Sequence, residues 1–192
     1  MPDPNPQALD FLLNRRSRPA KTLRAPAPDR DALRPLLTAA LRVPDHGKLE
    51  PWRLIVLEKP ALERLAALVP ARAEALGIAE DKREKAVAQF RDADLVVAVI
   101  SAPKPSDKVP AIEQTYSAAC VCLSLLNAAL AAGWGANWLS GWASHDEAFC
   151  REGLGLRDGE SIAGLIHIGT ETVPAPERPR PDVEALTEWR TA

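Results

Sequence analysis

Three short segments of this 192-residue chain concentrate the side chains that could grip a ligand. The first is Arg15-Arg16-Ser17, with Arg18 beside it. Guanidinium groups hold phosphate oxygens through paired hydrogen bonds, and a serine hydroxyl adds a donor, so this run suits an anionic group. The second runs from Arg42 to Trp52 and offers Arg42, His46 and Lys48 as cations on irregular backbone, where binding residues concentrate. The third runs from Gly133 to Trp142 and includes Trp138, Leu139, Ser140 and Gly141. Glycines let the backbone approach a flat ligand, and indoles supply walls. Each segment alone has a plainer reading: cations that favour a helix C-terminus, a surface histidine, and a glycine helix stop followed by core tryptophans. None of these side chains is assigned as a catalytic acid, base or nucleophile.

The elements that must position them follow from capping and periodicity. Asn5 and Pro6 fit an N-cap and first helical position, opening a helix that ends near Arg15-Arg16-Ser17. A second helix starts at Asp29 and ends before Val43-Pro44, with Pro35 expected to kink or delay it. Arg53–Glu58 reads as a strand, and helices follow over 61–76 and 80–90. The segment 69–85 is the candidate for a substrate lid. Asp94–Ile100 is almost continuously apolar, as expected of a strand covered on both faces. A long apolar helix ends at Gly133, Gly135–Leu139 reads as a strand, and Ser144 with Glu147 fits a capping box opening a short helix. Ile162–Ile168 is the last strand, and Pro174–Pro181 holds too many prolines for helix or central strand. Strands alternating with helices imply an α/β or α+β sandwich in one domain, residues 1–192, with 174–192 as a proline-rich arm.

Composition narrows the function classes. Lys and Arg number 24 against 26 Asp and Glu, a net charge of −2, which gives no electrostatic case for nucleic acid or an anionic membrane. The amino terminus has no basic stretch followed by an apolar run, so no signal peptide is expected. The apolar run from Tyr116 to Ala132 is shorter than the roughly 20 residues of a membrane span and contains Asn127. Cys120, Cys122 and Cys150 lack metal-ligand spacing and read as buried free thiols of a cytoplasmic protein. No Gly-x-Gly-x-x-Gly follows a strand, so a dinucleotide-binding fingerprint is missing.

Taken in order, Asn14-Arg15-Arg16-Ser17, Arg42-Val43-Pro44-Asp45-His46, Glu50-Pro51-Trp52, Lys108-Val109-Pro110, Glu113-Gln114, Ser117, Trp138, Ser140-Gly141, Gly169-Thr170 and Pro181-Asp182 resemble the pattern of FMN-dependent nitroreductases, in particular their compact branch. The resemblance implies a three-layer sandwich, with a central mixed, mainly antiparallel sheet flanked by helices. It also implies an intertwined homodimer carrying two FMN sites at the subunit interface. The apolar helix 112–132 would supply much of that interface, and the arm would wrap the partner. By the same resemblance, Arg15, Arg16 and Ser17 match the segment holding the FMN phosphate and ribityl chain. Arg42 and His46 match cofactor-contacting positions, His46 near the pyrimidine side of the ring. Trp138, Leu139, Ser140 and Gly141 match the segment beside the flavin. The implied activity is transfer of electrons from a transiently bound NAD(P)H to small electron-poor acceptors, ping-pong through one flavin site. Another flavin reductase of enoate or dehalogenating type, or an FMN-binding or storage protein, would share these features. Three positions depart from the usual pattern: Glu50 where glutamine is usual, Lys48 where asparagine is frequent, and Leu139 where the compact branch can carry arginine.

Overall fold

A computed structural model describes residues 3–191. The chain folds as helix α1 (Pro6–Asn14), strand β1 (Leu23–Arg24), α2 (Arg30–Ala40), β2 (Trp52–Glu58), α3 (Lys59–Ala75), α4 (Glu80–Arg91), β3 (Leu95–Ser101), α5 (Ala111–Ala131), β4 (Gly135–Leu139), α6 (Glu147–Leu154), β5 (Ser161–Glu171) and α7 (Val183–Leu186). The caps explain several boundaries. Asn5 accepts a hydrogen bond from the Ala8 amide at 3.0 Å, and Asp29 accepts one from Ala32 at 2.9 Å, each satisfying a helix donor that would otherwise lack an acceptor. Helix α2 runs on through Pro35, whose exposed position leaves the unbonded carbonyl one turn back open to water.

All pairings in the five-stranded sheet are antiparallel. Residues 165–167 of β5 pair with both β3 and β4, so those strands flank β5 on opposite sides; β2 adds to the far edge of β3, and β1 pairs with the end of β5. Strand β3 is buried along its whole length, as the apolar run Leu95–Ile100 predicts. Its residues alternate between two cores. Val96, Ala98 and Ile100 join Leu62, Leu65, Val69, Phe90 and Phe149 beneath α3, α4 and α6. Leu95, Val97 and Val99 join Leu33, Leu36, Val121, Leu125 and Ile166 beneath α2 and α5. This is the helix–sheet–helix sandwich expected from the sequence.

Helix α5 is long and apolar enough to cross a bilayer by composition alone. Its buried residues Val121, Cys122, Leu125 and Leu126 pack onto the sheet, while Ile112, Tyr116 and Leu123 remain exposed on its outer side. Cys120, Cys122 and Cys150 are unpaired thiols, and burial pushes Cys122 up to about 12 and Cys150 to about 11.

Two local expectations need correction. Helix α6 is capped by Asp146, whose carboxylate accepts from the Phe149 amide at 3.1 Å and is itself held by Arg72 at 2.7 Å. Ser144 instead sits buried in the tight turn Trp142–His145 that precedes it. The expected lid over 69–85 begins inside the core, because Val69 and Ala73 are buried on α3.

Candidate functional site

The Arg15-Arg16-Ser17 run lies where α1 stops. Arg15 turns to extended backbone (φ −57, ψ 145) although its amide still donates to the Phe11 carbonyl at 2.7 Å. The chain is then stitched to β4: the Arg18 amide donates to the Ala136 carbonyl at 2.8 Å, and Asn137 Nδ2 donates to the Arg18 carbonyl at 2.7 Å. These bonds set Arg15, Arg16 and Ser17 around a pocket of about 470 Å³, into which Leu139 and two arginines of the C-terminal arm, Arg178 and Arg180, also reach. Arg15 Nη2 donates to Ser17 Oγ at 3.1 Å, but Arg15 Nε and Arg16 Nη1 are buried without any hydrogen-bond partner among the described residues. Burial, then the positive fields of Arg180 and Arg18, lowers the Arg15 pKa. Four guanidinium groups around one cavity repel each other, and buried donors without acceptors are costly. An anion in the pocket relieves both conditions.

The second segment is equally well built but lies elsewhere. Asp45 accepts from the amides of Leu49 at 3.1 Å and Glu50 at 2.8 Å, closing a tight loop. Gly47, Lys48 and Glu50 all take positive φ there, at 71, 52 and 50°. Ser117 Oγ on α5 donates to the Pro44 carbonyl at 2.7 Å and accepts from Trp52 Nε1 at 3.1 Å, tying the loop to that helix. His46 Nδ1 lies 2.7 Å from Glu113 Oε2 at the start of α5. Arg42 and His46 are exposed. Leu130, near the other end of α5, borders the cavity between α1 and β4 in which Arg15 and Arg16 also stand. At about 1.5 Å per helical residue, Glu113 and Leu130 are roughly 25 Å apart. Within one chain, His46 therefore stands well away from the arginine pocket.

The third segment splits by strand alternation. Leu139 faces the arginine pocket. Trp138 turns to the opposite face and packs on Gly164, where an added Cβ would come within 2.1 Å of Nε1; its indole joins the core under α5. Ser140 is exposed, and Gly141 is half-buried close to Gln89 of α4. The structure thus gathers Arg15, Arg16, Ser17 and Leu139 and leaves Arg42, His46 and Trp138 apart. It adds Arg178, Arg180, Pro19 and Asn137, which the sequence reading missed. Two arginines alternating with prolines in the arm were the one available signal for the first pair. On the same strand face as Leu139, His167 is buried, with Nε2 unpartnered and its pKa pushed by burial down to about 4.

The sequence model of the Nitroreductase family matches residues 12–170. The chain belongs to that family. This nitroreductase-family chain is 37% identical over 169 residues to an Escherichia coli K12 protein carrying the name "Putative NAD(P)H nitroreductase YdjA", covering 88% of this chain and 90% of that one. A Haemophilus influenzae protein carrying the name "Putative NAD(P)H nitroreductase" is 38% identical over 164 residues, covering 85% of this chain and 88% of that one. Among solved structures, a nitroreductase-like family protein from Bacillus cereus superposes with a TM-score of 0.79 at 22% identity, over all of both chains. A nitroreductase from Desulfovibrio desulfuricans, solved in complex with FMN, gives 0.74 at 22% identity over 99% of this chain and 100% of that one. Family membership makes the chain an oxidoreductase, on the fold described above.

Proposed function

We propose that the chain is an FMN-dependent oxidoreductase of the cytoplasm that passes electrons from NAD(P)H to small electron-poor acceptors such as nitroaromatics or quinones. The observation that carries this reading is the pair of buried, unpartnered guanidinium nitrogens on Arg15 and Arg16, in a pocket that Arg178 and Arg180 also line. That donor set fits a phosphate. Arg15, Arg16, Arg178 and Arg180 would bind and neutralise it, Ser17 would add a hydroxyl, and Leu139 would provide an apolar wall. FMN, when bound, supplies the hydride and electron chemistry, while the chain orients it and keeps its phosphate out of bulk water. No side chain has to supply or remove a proton as a catalytic residue.

Arg42 and His46 join the site in a homodimer. A two-fold interface is self-complementary, and with its axis perpendicular to α5 the helix would meet its own copy in antiparallel fashion. The exposed Ile112, Tyr116 and Leu123 offer apolar surface for such packing. The partner's Arg42–His46 end would then stand beside this chain's Arg15–Leu130 end, spanning the roughly 25 Å that separates them within one chain. Trp138 would support the site from behind the sheet, and the backbone at Ser140 and Gly141 would border the ring.

The test is an absorbance spectrum of the purified protein before and after anaerobic NADH or NADPH. Bands at about 370 and about 450 nm that bleach on reduction are expected, and the nicotinamide that bleaches them faster is the donor. A protein that stays colourless after incubation with excess FMN overturns the proposal. Donor and acceptor sharing one pocket should give parallel double-reciprocal lines; intersecting lines would exclude the ping-pong order.

A further inference from the structure

A second pocket adjoins the arginine pocket on the same face of the sheet. In register, His167 stands between Val96 of β3 and Asn137 of β4, so its side chain projects with theirs toward the α4 layer. It is only 3% exposed, and its Nε2 has no hydrogen-bond partner among the described residues. A buried imidazole nitrogen left unsatisfied is uncommon and calls for an occupant. His167 lines a cavity of about 250 Å³ between α4, the Ala20–Lys21 turn and the end of β4. Leu139 belongs to the walls of both this cavity and the arginine pocket.

The chemistry of the lining selects the occupant. The volume lies below the roughly 300 Å³ at which drug-sized sites begin, which limits the ligand to about one ring. Ala88, Ala93 and Leu139 give apolar walls for such a ring. Lys21 and Lys85 bring two cations, and Lys85 meets Asp81 only through an exposed pair at 3.3 Å. The acid in the lining, Asp92, is already held by Arg91 through contacts of 2.7 and 3.1 Å. The remaining field is positive, with a polar histidine at the buried end.

We infer that this pocket is a subsite for single-ring aromatic carboxylates, with the carboxylate drawn to Lys21 and Lys85 and a polar ring substituent bonded to His167. It rests on the proposed flavin site in one respect: with FMN beside Leu139, such a ligand is an acceptor, and the enzyme favours anionic nitroaromatics over neutral ones.

Two measurements test it separately from flavin binding. The imidazole resonances of His167 are followed by NMR while 4-hydroxybenzoate, which carries both a carboxylate and a polar ring substituent and has no reducible nitro group, is added to the FMN-loaded protein and to protein stripped of flavin. A saturable shift in both, not reproduced by 4-hydroxybenzamide, is the expected result. An unmoved His167, or an equal shift with 4-hydroxybenzamide, overturns the proposal whatever the colour of the protein. In the loaded enzyme, the ratio of kcat/KM for 4-nitrobenzoate to that for nitrobenzene should fall about tenfold in Lys85→Gln, the loss of one charge-assisted contact. An unchanged ratio in both Lys85→Gln and Lys21→Gln overturns the carboxylate assignment. A protein that never takes up FMN but gives the 4-hydroxybenzoate shift sinks the flavin reading alone and upholds the subsite.

Discussion

Arg180 reaches the arginine pocket from an arm whose other side chains are mostly in water. A charge-assisted hydrogen bond to a phosphate is worth about 1.5–3 kcal/mol, so Arg180→Ala should weaken FMN about tenfold to a hundredfold, read by flavin fluorescence titration with an unchanged circular-dichroism spectrum. Glu160 carries a different consequence. Arg53 holds it at 2.7 and 2.8 Å, and hydrogen bonding from that guanidinium brings its pKa down to about 2 from an ordinary 4.5. A carboxylate whose folded pKa is depressed contributes stability that is complete above about 4.5 and disappears as the pH falls toward 2. Urea midpoints of the parent and Glu160→Gln should therefore differ most above pH 4.5 and converge in acid; a constant gap would show that the pair is not linked to pH. At this scale Arg15, Arg16 and Ser17 were legible because they are contiguous and all carry phosphate-binding groups. Arg178, Arg180 and Asn137 were not, since only the folded chain brings them to the same cavity. His167 was hidden too: a histidine amid an apolar strand gives no sign of its missing partner.

At the scale of elements, the loop between α2 and β2 is closed by Asp45 but contains two non-glycine residues with positive φ, Lys48 and Glu50. Left-handed backbone costs an ordinary L-residue roughly 1–2 kcal/mol, and asparagine tolerates it better. Lys48→Asn should raise stability by a few tenths to about 1 kcal/mol, seen as a higher thermal midpoint; a lower midpoint would mean that the Lys48 side chain contributes more than its backbone costs. Helices capped by a single unambiguous residue, Asn5 or Asp29, were readable. Helix α6 was not, because Ser144 and Asp146 both offer oxygen acceptors near its start and Arg72, remote in sequence, favours the aspartate. Strand β1, two residues long, is too short to show periodicity and exists because β5 extends to Glu171 to meet it. Strand β3 was readable since burial on both faces leaves Leu95–Ile100 apolar, with Ser101 alone polar at its end.

For the whole molecule, the arm was expected to embrace a partner, yet in the single chain it folds back so that Arg178 and Arg180 complete its own pocket. Val183, Leu186 and Trp189 beyond them stay exposed, at 68, 76 and 79%. Deleting residues 174–192 should cut FMN retention on gel filtration at least tenfold, since both arm arginines go with it. Sedimentation of the truncated protein should report the proposed dimer, because the exposed face of α5 is untouched; a monomer, where the full chain sediments as a dimer, would place the main contact in the arm instead. The layering of helices on a sheet follows from local patterning, whereas antiparallel pairing is implied by the family resemblance alone. The placing of Arg42 and His46 at the opposite end of α5 from Arg15 and Arg16 does not follow from patterning, because only the folded chain fixes which end of the helix each segment adjoins.

The packing of Trp138 on Gly164 makes the protein its own optical gauge. With no room for even a methyl group between them, the indole is clamped in one orientation, one residue from a wall of the arginine pocket. Trp189, 79% exposed, emits from water and so at longer wavelength than an indole held in the core. The short-wavelength part of the intrinsic emission therefore belongs to the half-buried indoles packed against the cores, Trp138 among them. A chromophore entering beside Leu139 would drain it by energy transfer, and pocket filling could be timed without attaching any label.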